Sequence, residues 1–268
     1  MVSEGSSAIS LRDISGDGPS DPVAVVVRMA RGVLELQSRA RECLTQAPTT
    51  EDDSYWEGQD DEIDRLEWRL HRTLAAQFLR EPAETILPNG ASSALHLLAT
   101  SRALERIGDH AVRIGRASAS LPRTGSHPPR LPSVVEFYGQ VLELLERAIP
   151  LISRPDAQAS NEIADTAGSL HASHMALLQN LLSRKAPSQI PPLTAAWIAQ
   201  VLDSIDRSAA YVADIAELCL DRAALEWVHV PGGRGTDVPR PSALQRSPPF
   251  ATSGRAQKGG HLGSQGIP

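Results

Sequence analysis

The strongest constraint on this chain is that it repeats itself at low resolution. Residues 102–116, R-A-L-E-R-I-G-D-H-A-V-R-I-G-R, put Leu104, Ile107, Ala111 and Ile114 at the three-and-four spacing of one helical face. About a hundred residues later, in I-D-R-S-A-A-Y-V-A-D-I-A-E, Ile205, Val212 and Ile215 fall on the places of Leu104, Ala111 and Ile114. Glu62-Ile63 and Leu70-His71 recur at an offset of 100 as Glu162-Ile163 and Leu170-His171, and Val33-Leu34-Glu35-Leu36 recurs at an offset of 108 as Val141-Leu142-Glu143-Leu144. An ordered series of matches with drifting offset is the mark of a duplicated three-helix unit with altered loops. The expectation is an all-α protein of two tandem three-helix bundles.

Punctuation in the chain sets the boundaries. Asp21-Pro22 reads as a cap followed by proline at the first helical position, and Val26, Met29, Val33, Leu36, Ala40 and Cys43 make the apolar face of a first helix ending before Pro48. Capping oxygens and acids at residues 49–53 predict a second helix to about Arg80, marked by Trp56, Ile63, Leu66, Leu70, Leu74, Ala75 and Phe78. A third runs from about Ala91 to Ala117. Residues 120–132 hold four prolines and a glycine and read as a linker. A sixth helix begins near Leu193 and stops before Pro231. The predicted divisions are a disordered tail at 1–20, a first bundle at 21–118, a linker at 119–132, a second bundle at 133–229, and a disordered basic tail at 230–268. Gly232-Gly233-Arg234-Gly235 follows no strand and lacks the lysine of a phosphate loop, so it reads as tail.

Composition agrees with packed helices. Aromatic residues are only 4% of the chain, and the apolar content is mainly Leu, Ala, Ile and Val. The formal net charge is −6, distributed as −2 over residues 1–20, −8 over 21–229 and +4 over 230–268. An acidic body is a poor match for a phosphate backbone, so nucleic acid is not an expected partner. Cys43 and Cys219 lack ligand spacing and read as small hydrophobes in a reducing compartment. With neither a basic-then-apolar leader nor a run of about 20 apolar residues, a cytoplasmic location is expected, with any membrane contact made through partners.

The chemistry lies in carboxylates. Asp60 and Asp64, then Glu105 and Asp109, are pairs one helical turn apart on two neighbouring helices, which together can offer oxygen ligands to a hard or borderline cation. The competing reading is a solvated ladder of ion pairs. Arg102 lies three before Glu105, Arg106 three before Asp109 and Arg113 four after it, and such pairs are worth only about 0.3–0.5 kcal/mol each. His110 turns about 100° from Asp109 along the helix and reads as a packing residue. His171 and His174, three apart, could clasp a metal on the second half, but they recur with His71 as part of the repeat and have no nearby acid pair, so they do not read as ligands. Catalysis is not expected: Glu226–His229 is a single Glu-x-x-His, where a di-iron bundle needs two, and no hydrolase, zinc-protease or dinucleotide pattern occurs.

Leu104 to Ala111, L-E-R-I-G-D-H-A, after a helix carrying D-D-E-I-D-R-L-E at Asp60 to Glu67, resembles the PhoU family of phosphate-uptake regulators. The resemblance covers about residues 22–228, closely in the first half and mainly in pattern in the second. It implies a cytosolic, often dimeric adaptor that represses the phosphate-starvation response, acting between the ATPase of the phosphate ABC transporter and a sensor histidine kinase. It further implies a divalent or multinuclear metal (Fe, Zn, Mg or Mn) at Asp60, Asp64, Glu105 and Asp109. In the second half Asn161 with Asp165, and Asp206 with Ala210, stand at the corresponding places, each pair short of one acid, which argues against a second site of that kind. The alternative is a divergent metal-binding helical adaptor of another transport or signalling system.

Overall fold

The computed structural model describes residues 21–45, 53–80, 89–119, 131–183 and 191–228. They form six helices: α1 Pro22–Thr45, α2 Asp53–Arg80, α3 Asn89–Ala119, α4 Leu131–Ser153, α5 Ala157–Leu182 and α6 Pro192–Val228. The expected tails at 1–20 and 230–268 lie outside the described residues, as does most of the expected linker. That linker ends earlier than its prolines suggest, because α4 starts at Leu131 and takes Pro132 into its first turn, where a missing N–H leaves no bond unmade.

Local chemistry sets the ends. The Asp21 side chain accepts from the Val23 amide at 3.0 Å, and Pro22 follows as the first residue of α1. Asp156 caps α5 by accepting from the Ala159 amide at 2.7 Å. At the end of α4, where carbonyls run out of amide partners, Arg222 of α6 donates to the Ile152 carbonyl at 2.6 Å. The Trp197 indole of α6 donates likewise to the Ala117 carbonyl at the end of α3, also at 2.6 Å.

Val26, Met29, Val33, Leu36 and Ala40 of α1 are buried as the periodicity predicts, as are Leu104, Ile107, Ala111 and Ile114 of α3 and Ile205, Val212 and Ile215 of α6. Two details differ. Leu44 takes the last core position of α1 while Cys43 is half-buried, and Ala75 and Phe78 of α2 face outward after Leu74. The last turn of α2 has passed the end of the core, and Phe78 instead lines a groove with Val23 and Leu97.

Helices α1, α2 and α3 pack together, as do α4, α5 and α6, and the two sets join through α1 against α4 and α3 against α6. One continuous apolar core runs through both sets. A polar knot is set in this seam. The fully buried Tyr138 hydroxyl of α4 donates to Gln37 Oε1 of α1, and Gln37 Nε2 donates to the Ile107 carbonyl of α3 at 2.6 Å and to Ser208 Oγ of α6 at 3.1 Å. The Ser208 hydroxyl donates in turn to the Ser204 carbonyl at 3.0 Å, and burial pushes the Tyr138 phenol well above its usual pKa, which keeps it a donor. Four helices meet at one satisfied network, as a buried amide requires.

Candidate metal-binding face

Asp60 of α2 shares a cleft with Asp109 of α3 and feels its charge, Asp64 stands one turn further along α2, and the α2 acid that Glu105 of α3 feels is Glu67. Burial, then repulsion from Asp109 and Asp64, pushes the Asp60 carboxyl above its ordinary pKa. Burial and Asp109 do the same to Glu105, against the opposing pull of Arg102 and Arg106. Glu105 Oε2 is buried with no hydrogen-bond partner, although Arg102 and Arg106 guanidinium nitrogens each stand 3.5 Å away. Asp109 pairs with Arg106 at 3.3 Å. Two of the three sequence-predicted ion pairs are therefore formed. Arg113 instead lines, with Asp60, Asp109, Arg116, Trp197 and Gln200, an open cleft of about 570 Å³ between α2, α3 and α6.

The donor chemistry fits a hard cation, since carboxyls raised by burial and mutual repulsion are relieved by positive charge. The spacing is that of an open ladder. No three of the four acids bring ligand atoms within 4.8 Å of one another, and Asp64 is exposed. His110 points away into the seam, buried and stacked on Tyr211 with ring centroids 6.0 Å apart. Burial pushes its imidazole down to about 4.

The second half answers differently. Burial puts α2 and α5 in register at an offset of 100, with Ile163 and Leu170 in the core as Ile63 and Leu70 are. Ser160 and Ala164 are then the counterparts of Asp60 and Asp64, and the exposed Asp165 is on a different face from the one the motif alone implied. At the same offset His174 replaces the buried Leu74. The histidine pair does have an acid beside it, across the helix interface: Asp206 Oδ2 lies 3.0 Å from His171 Nδ1 and 3.3 Å from His174 Nδ1. The repeat held the signal. Asp206 takes the place of Glu105, which lies near enough to Glu67 to feel its charge, and one turn past position 167 on α5 comes His171.

A model of the PhoU domain matches residues 26–118. No curated protein sequence matches the chain significantly. Among solved structures, PhoU from Pseudomonas aeruginosa superposes with a TM-score of 0.68 at 21% identity, covering 76% of this chain and 96% of that one. The phosphate transport system regulatory protein PhoU from Streptococcus pneumoniae superposes with a TM-score of 0.64 at 18% identity, over 78% and 96%. The likeness to the PhoU domain in sequence is thus confined to residues 26–118, while the fold of PhoU proteins extends through both halves of the chain.

Proposed function

We propose that the chain is a PhoU-like regulator of phosphate transport, non-enzymatic and cytoplasmic, that restrains the phosphate-starvation response by docking a phosphate ABC transporter ATPase and a sensor histidine kinase as a homodimer. The observation that carries this reading is the PhoU domain match over residues 26–118, on helices that share the fold of two PhoU proteins. Its acidic middle suits basic protein surfaces rather than nucleic acid, and no described helix is long and apolar enough to cross a membrane. The test is alkaline phosphatase activity in phosphate-rich medium. Deletion of the gene is expected to make that activity constitutive and complementation to repress it again; unchanged activity in a strain with no second such gene would sink the repressor role.

A cation on the acidic face is the second reading, favoured by the raised carboxyls of Asp60 and Glu105. Asp60, Asp64, Glu105 and Asp109 would hold it, and it would supply positive charge that relieves their repulsion. A carboxyl whose folded pKa is raised opposes folding at neutral pH, and that penalty disappears as pH falls through its folded pKa. Glu105→Gln is therefore expected to raise the melting temperature of the metal-free chain and to reduce any further rise on adding Mg, Mn, Fe or Zn ions. A melting curve that Glu105→Gln leaves equally responsive to metal would remove this reading.

A further inference from the structure

His171 and His174 stand one turn apart on α5, with ring centroids 5.9 Å apart, and Asp206 faces both from α6. His171 Nδ1 is 3.2 Å from Oδ1 and 3.0 Å from Oδ2 of that carboxylate, and His174 Nδ1 is 3.3 Å from Oδ2. One ligand atom from each of the three lies within 4.8 Å of the others, the only such group among the described residues. Ligands about 2.1 Å from a tetrahedral zinc ion stand roughly 3.4 Å apart, so the existing separations need little change to close on a metal.

A plain ion pair accounts for less than is present. Asp206, with its side chain 14% exposed, needs one imidazole, and His171 already supplies it. His174 is a second imidazole, 95% buried, with both ring nitrogens outside hydrogen-bond geometry. Its place on the duplicated helix is held in the first half by the core residue Leu74, so an apolar position has been given to a ligating side chain where an acid faces it. Phe137 of α4 stacks on the His174 ring at 6.4 Å and closes the inner side, while His171, 63% exposed, leaves the outer side open to water.

We propose that His171, His174 and Asp206 form a three-ligand site for a zinc-class divalent cation that clamps α5 to α6, with solvent in the fourth position. Two imidazoles and one carboxylate favour zinc, cobalt, nickel or copper over magnesium or calcium, which prefer oxygen. The site differs from the acidic face of the first half in its ligands, two imidazoles and one carboxylate in place of four carboxylates.

The test uses the full chain stripped of metal by chelator and titrated with zinc. One equivalent is expected to bind and to raise the melting temperature, and cobalt substituted for it should give the visible absorption of a four-coordinate ion. His171→Ala, at an exposed position that does not build the core, and Asp206→Asn should each weaken zinc at least about tenfold, as losing a metal's ligand or even its supporting residue does. Glu105→Gln combined with Asp109→Asn should leave this equivalent intact. In the wild type, zinc should move the imidazole resonances of His171 and His174. Zinc affinity unchanged in His171→Ala, shifts confined to histidines outside the described helices such as His127, His229 or His261, or no zinc bound at micromolar concentration would each overturn the site.

Discussion

Gly115 lacks a side chain because Trp56 occupies the space one would need. A Cβ built there would meet the indole ring at 2.2–2.5 Å, and Trp56 is fixed at 2% exposure. Gly115→Ala should therefore destabilise the fold by about 1–3 kcal/mol, as overpacking does in a close-packed interior. Denaturant unfolding measures this, and Trp56→Leu in the same chain should recover part of the loss, because contacting residues couple. Additive losses in the double variant would show that the clash is not the cause. His110 carries a second residue-scale prediction. Its folded pKa, pushed down to about 4 by burial, lies below the ordinary value of 6.5, so the unfolded chain binds the extra proton between the two. Its contribution is complete above about 6.5 and is lost as pH falls toward 4. His110→Gln should flatten the fall of stability across that window relative to the wild type, by about 1–2 kcal/mol at its acid end. An unchanged acid slope would mean that other groups govern it.

At the scale of the helix, capping and register decide. Asp156 supplies the cap that starts α5, three residues after α4 ends, so Asp156→Ala should cost about 1 kcal/mol. Hydrogen exchange should show the loss as faster opening of the first turn of α5, and exchange unaltered there would mean that tertiary packing alone holds the turn. The helices themselves were legible because proline, capping oxygens and a 3.6-residue period speak about neighbours in sequence. The ends of α1, α2 and α6 follow Asp21-Pro22, the acids before residue 53, and the Pro191-Pro192 start. What pairs across helices was legible only where the period carried it. The ion pairs of Glu105 with Arg102 and of Asp109 with Arg106 follow from spacing within one helix. The approach of Asp206 to His171 and His174 depends on how α5 rotates against α6, which is a property of packed volumes. The motif placed Asn161 and Asp165 opposite Asp60 and Asp64, whereas the buried faces put Ser160 and Ala164 there, because a one-residue shift turns a helix by about 100°.

At the scale of the molecule, a duplicated sequence need not make two independent bodies. The seam buries apolar faces of α1, α3, α4 and α6 in one core and places the Gln37 network at its centre. Neither half could satisfy that network alone, since Gln37 draws partners from α3 in its own half and from α4 and α6 in the other. The repeat in the sequence was visible, but Gln37 and Tyr138 sit on unrelated positions of it, and nothing in the period announces a bond between residues 101 apart. Unfolding should therefore be cooperative across both halves, with tryptophan fluorescence and far-ultraviolet circular dichroism giving one coincident transition. Gln37→Leu sharpens the test. It strands the fully buried Tyr138 hydroxyl without its acceptor and should destabilise the chain by about 1–3 kcal/mol. If the seam transmits that loss, amides of α4 and α6 lose protection as much as those of α1 and α3, although the substitution lies in α1. Loss confined to α1, α2 and α3, or two separated transitions in the wild type, would mean that the halves fold as independent units and that the shared core contributes contact without cooperativity.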